Sequence, residues 1–179
     1  MNPGLLRPLN RASWLSAAAL LIGDLTLFGV KGAGATEFEP QGQALMALLK
    51  SSKVSKKTVN TAKGAVTVFY TKDAAGKPEH AAFVEHGVYQ PSCSHTWAIG
   101  LDAKKGAVEE VRVIEMGCNH AFPTRAASFL DQFKGKTAAD VPKLSGQITT
   151  IAKATGSCDL ATDAVKRVLT AWTEVQKQL

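Results

Sequence analysis

Apolar positions along the chain change their spacing at a few definite points. Over residues 41–51 (QGQALMALLKS), Leu45, Met46, Leu48 and Leu49 fall on one helical stripe, which predicts a helix. Lys63-Gly64 breaks that pattern. Residues 65–71 (AVTVFYT) then read as a strand of β-branched and aromatic side chains. DAAGKP at 73–78 is turn chemistry, and it is followed by strands predicted over 81–89 and 96–101. DAKKG at 102–106 is a hairpin-like turn that leads into a fourth strand over 108–116 (VEEVRVIEM). Four short strands in succession predict an antiparallel meander.

The last third returns to helical spacing. Residues 124–133 (TRAASFLDQF) place Phe129, Leu130 and Phe133 toward a core, and Gly135 supplies a stop. Residues 159–178 carry the longest stripe, Leu160, Ala164, Val168, Ala171 and Val175, widened by Val165, Leu169 and Trp172. Strands followed by helices, without β-α-β alternation, predict an α+β fold: an antiparallel sheet packed against helices, in one domain over residues 36–179. Residues 1–35 stand apart. Arg7 and Arg11 precede an apolar run over 14–30, and Ala33-Gly34-Ala35 offers a small-x-small cleavage site, so this segment reads as an export signal. The alternative is a retained anchor over 12–30. Asp24 opposes it, since an acidic residue at a helix centre costs about 2.5–3.5 kcal/mol to insert. On either reading residues 36–179 are periplasmic or otherwise extracytoplasmic.

Composition narrows the classes. The chain has 179 residues, 45% hydrophobic and 20% charged, which fits neither a disordered tail nor a polytopic membrane protein. Its formal charge of +6 falls to +4 once Arg7, Arg11, Lys31 and Asp24 are set aside. The densest basic stretch, Lys50, Lys53, Lys56, Lys57 and Lys63, has no interleaved aromatic residue on which bases would stack. It reads as a solvated face, and no nucleic-acid partner is expected. No C-x-x-C-H, G-x-S-x-G or phosphate-loop lysine motif occurs.

Three cysteines cannot all pair within one chain, and they mark the candidate chemistry. Cys93-Ser94-His95 and Cys118-Asn119-His120 are both C-x-H, each at the end of a predicted strand, with the 102–106 turn midway between them. In extended backbone, residues two apart face the same side, so each pair presents sulfur and imidazole together. Such ligands suit zinc, copper or iron–sulfur iron, and Met116 leaves copper open. Cys158, in the loop before the last helix, would bring a third sulfur. The candidate metal set is therefore Cys93, His95, Cys118, His120 and Cys158. The competing reading is a Cys93–Cys118 disulfide, expected outside the cytoplasm, with Cys158 a free thiol of lowered pKa at a helix start.

The third motif is KATGSCD at 153–159. Thr155, Gly156 and Ser157 are small and stand before the long helix, where unpaired N–H groups favour an anion; Asp159 as a plain N-cap is the simpler account. The order of elements in WAIGLDAKKGAVEEVRVIEM, FLDQFKGK and this hydroxyl-Gly-small loop resembles the FMN-binding domain family, known from flavin-carrying subunits of Rnf and sodium-pumping quinone reductase complexes. The likeness runs over about residues 96–170 and implies an α+β electron-transfer domain rather than a stand-alone enzyme. It implies a redox partner protein, membrane-associated in those complexes. The family's Ser-Gly-Ala-Thr, whose threonine carries FMN, aligns with Thr155, Gly156, Ser157 and Cys158, which become the candidate cofactor-binding residues. A thiol replaces the flavin-bearing threonine, and Ala152 replaces an expected aspartate, so any FMN is non-covalent. Three functions stand side by side: a flavin electron carrier, an iron–sulfur or metal-binding protein on the same fold, and a disulfide-stapled non-redox accessory subunit.

Overall fold

The computed structural model describes residues 35–89 and 93–179. The export or anchor segment, residues 1–35, lies outside them except for Ala35. The elements run β1 (Thr36–Glu37), α1 (Gln41–Leu49), β2 (Ser55–Thr61), β3 (Gly64–Lys72), β4 (Pro78–Tyr89), β5 (Cys93–Asp102), β6 (Ala107–Met116), α2 (Ala127–Leu130), α3 (Leu144–Gln147) and α4 (Thr155–Val175). The strands form one antiparallel sheet in the order β1-β6-β5-β4-β3-β2. The α+β class and the meander agree with the sequence reading. Strand β5 is buried along almost its whole length because it is covered on both faces.

Alternation along β5 decides what covers each face. Trp97, Ile99 and Leu101 belong to the larger core with Val165, Val168, Leu169 and Trp172 of α4. Ala98 belongs to a smaller core on the other face, with Phe69, Ala82 and Ile114 against Ala44, Leu45, Leu48 and Leu49 of α1. Gly100 makes the second contact possible. A Cβ there would come within 2.9 Å of the Leu48 Cδ2, so only a bare Cα lets the helix settle so closely.

Several elements depart from the sequence reading. Strand β2 was not expected, because Val59 is its sole buried residue and its lysines break any alternation. The Lys63-Gly64 break is the turn of the β2–β3 hairpin, with Gly64 at φ 116°. Met46 lies off the buried stripe of α1 and is 50% exposed. The single helix expected over 124–133 is three short pieces: a 3₁₀ segment Asn119–Arg125 containing Pro123, then α2, then a 3₁₀ turn Asp131–Phe133. Ala126 is extended (φ −62°, ψ 137°), which stops one helix running through. Phe129 and Phe133 are nevertheless fully buried and meet edge to face at 5.5 Å, whereas Leu130 is only half-buried. The last helix starts at Thr155, four residues before Asp159, so Asp159 sits inside the helix rather than capping it.

Candidate functional site

Strand β5 begins at Cys93, and β6 ends two residues before Cys118. Antiparallel pairing sets His95 opposite Met116, and Gly117 N–H continues the ladder to the Ser94 carbonyl at 2.6 Å. The two cysteines are thereby brought to a Cα separation of 5.1 Å and are joined as a disulfide. Of the two readings for this pair, the disulfide is the state found. Cys93 is buried and Cys118 half-buried.

His95 points to the same side of β5 as Cys93, as two-residue spacing requires, and is fully buried. Its Nδ1 lies 3.1 Å from the Cys93 carbonyl. A carbonyl only accepts, so Nδ1 carries the proton and Nε2 presents a lone pair. That lone pair accepts from Ser157 Oγ at 3.0 Å and lies 3.9 Å from Cys93 Sγ. Burial pushes the His95 pKa below its ordinary value, only partly offset by the bond to the Cys93 carbonyl, so the ring is neutral. The Trp97 ring stacks beside it at 5.3 Å and 22°.

The five residues expected to gather at this corner divide. The ligand atoms of Cys93, His95 and Cys118 lie within 4.8 Å of one another. His120 is exposed on the following 3₁₀ segment, outside that group, although it lines the adjoining cleft. Cys158 is fully buried, and its Sγ accepts the Ile151 N–H at 3.3 Å. Its pKa is raised by burial, the reverse of the lowered value expected for a thiol at a helix start. The side chain belongs to the larger core. His86 and His80 are used elsewhere, bonding Thr96 and Glu109 at 2.9 and 3.0 Å.

The first turn of α4 completes the arrangement. Lys153 turns the chain with φ 66°, and Cys158 N–H makes the helix's first backward bond, to Ala154 at 3.0 Å. The N–H groups of Thr155, Gly156 and Ser157 precede that bond and so have no intrahelical acceptor. These three residues line a cleft of about 440 Å³, together with Tyr89, Cys93, Cys118, His120 and Lys153. A Cβ on Gly156 would overlap the Tyr89 ring, so this glycine seats the aromatic side chain. The link from His95 to Ser157 and the cationic place of Lys153 were not foreseen.

No family model matches the chain, and no curated protein matches it. Among solved structures the chain is similar to NqrC of Shewanella oneidensis, with a TM-score of 0.51 and 15% identity over 92% of this chain and 78% of that one. The likeness is one of fold. Among the described residues, no helix is long and apolar enough to cross a membrane.

Proposed function

We propose that this chain is an extracytoplasmic electron carrier of the FMN-binding-domain type, holding FMN without a covalent bond in the cleft at the start of α4. One observation carries the reading: Thr155, Gly156 and Ser157, the first residues of α4, line that cleft together with Lys153. Free amides at a helix start and a lysine ammonium suit a phosphate group. The NqrC-like fold and the Thr155–Cys158 tetrad support the same conclusion.

The residues present fit such a group. A cleft of about 440 Å³ is within the range of small-molecule sites. Tyr89 is 46% exposed at the rim and offers a flat aromatic face to a ring system. Position 158, aligned with the flavin-bearing threonine, is sealed in the core, which argues against attachment there. FMN, when bound, supplies one- and two-electron transfer. The chain's own part is to bind the phosphate through Lys153 and the α4 amides, and to orient the ring at Tyr89. The Cys93–Cys118 disulfide forms a wall beside it that carries no charge, with His95 buried behind it. Electrons are then exchanged with a redox partner protein.

Purified chain that absorbs near 450 nm and releases FMN on denaturation is the expected result. Lys153→Glu and Gly156→Val should each lower flavin occupancy at least tenfold. A colourless chain that takes up no added FMN overturns the reading. The Cys93–Cys118 bond favours one alternative, a disulfide-stapled accessory subunit, whose signature is a colourless protein with one disulfide and one free thiol. Brown colour with iron and acid-labile sulfide would instead identify an iron–sulfur protein.

A further inference from the structure

We infer that reducing the Cys93–Cys118 disulfide converts this wall of the cleft into a Zn²⁺ site formed by Cys93 Sγ, Cys118 Sγ and His95 Nε2. The inference goes beyond flavin binding and does not depend on it.

The three ligand atoms already lie within 4.8 Å of one another, and Cys93 Sγ is 3.9 Å from His95 Nε2. In a tetrahedral site with Zn–S of about 2.3 Å and Zn–N of about 2.0 Å, sulfur and nitrogen stand about 3.5 Å apart and two sulfurs about 3.8 Å. The imidazole therefore needs only a small adjustment. The main movement is the parting of the two sulfurs, which follows from breaking their bond. His95 is also prepared as a ligand. The Cys93 carbonyl accepts from Nδ1–H, which fixes the ring and puts the lone pair on Nε2, 3.9 Å from Cys93 Sγ; a carbonyl on the other ring nitrogen is the outer-shell arrangement that metal-binding histidines use. On metal binding the Ser157 hydroxyl gives up its bond to Nε2. A water, or His120 at the same cleft, would take the fourth position.

The chemistry balances in two steps. A dithiol reductant gives two electrons and two protons to the Cys93–Cys118 bond, becoming a disulfide itself and leaving two thiols. Zn²⁺ then displaces both thiol protons, so one metal bound releases two protons. The oxidised chain offers no thiolate and has no site.

The test is Zn²⁺ competition against a chromophoric chelator, using the full chain reduced with a phosphine and transferred anaerobically. Reduced protein is expected to bind one Zn²⁺ per chain and release two protons, at least 100-fold more tightly than oxidised protein. Co²⁺ should give tetrahedral, thiolate-type absorption. His95→Ala keeps the disulfide and should weaken Zn²⁺ binding at least tenfold, whereas Cys158→Ala should leave it unchanged. The inference is overturned if reduced protein ignores Zn²⁺ at micromolar concentration, or if His95→Ala binds as tightly as wild type. It is equally overturned if circular dichroism shows the zinc-bound chain to be unfolded. A colourless chain that binds Zn²⁺ when reduced would sink the flavin reading alone.

Discussion

Ser157 Oγ on helix α4 lies 3.0 Å from Nε2 of His95 on strand β5, a buried bond between residues 62 apart. It ties the first turn of α4 to the strand that begins at the disulfide. The bond joins the loop–helix junction to the cysteine corner.

Ser157→Ala is expected to leave His95 Nε2 without its donor, at a cost of about 1–3 kcal/mol. The measurement is urea unfolding with an unchanged slope and a lower midpoint. A midpoint equal to that of the wild type would show that the bond does not hold the junction.

The Cys93–Cys118 bridge closes a loop with a sequence separation of 25. Its reduction should destabilise the fold by about 3 kcal/mol through restored freedom of the unfolded chain. Cys158 behaves differently. Fully buried and with a raised pKa, it should resist alkylation in native, oxidised protein and react only on unfolding. Rapid labelling under native conditions would contradict its placement in the core.

Gly100→Val drives two methyl groups into Leu48, whose Cδ2 already stands 2.9 Å from a Cβ built at that position. The expected cost is about 1–3 kcal/mol, confined to the α1 face. Hydrogen exchange should show α1 opening while α4 stays protected. Equal loss of protection in both helices would argue against two separate cores.

Acid should lower stability in two stages. His95 is held below its ordinary value near 6.5 by burial, so its contribution is complete above that value and is lost as pH falls from 6.5 toward its folded pKa. Below about pH 4 a second stage follows. The Asp73 carboxylate is held low by Lys104 and the Lys77 N–H, and Asp140 by the Thr137 N–H and hydroxyl. Both contributions are present above the ordinary carboxylate value near 3.8 and disappear as pH falls through the depressed ones. His95→Gln should remove only the first stage, and Asp140→Asn should reduce only the second. Thermal melts between pH 3 and 8 check both.

Strands β3 to β6 were legible because each keeps a buried face, and recognisable turns over 73–78 and 102–106 separate β3 from β4 and β5 from β6. Strand β2 was not, since a partner strand holds it through backbone bonds while Lys56 and Lys57 face water. The meeting of Cys93 and Cys118 followed from antiparallel pairing around a turn midway between them. The direction of Cys158 did not, because it depends on where α4 starts. A helix beginning at Thr155 rather than Asp159 places that thiol within the first turn, on its inward side. No local pattern encodes the His95–Ser157 contact, which arises only when α4 packs across the sheet.

The lysine-rich character of β2 has a consequence for how the protein behaves in company. Among the described residues β2 is an outermost strand of the sheet, and a strand in that place is a template on which another chain can polymerise. Here it carries the exposed Lys56 and Lys57, and the Lys57 side chain bonds back to the Gln178 carbonyl of its own chain. Edge lysines disfavour pairing with a second copy of the same strand, whose lysines would lie close by. Charge that reads as a plain solvated face thus also discourages self-association along that edge.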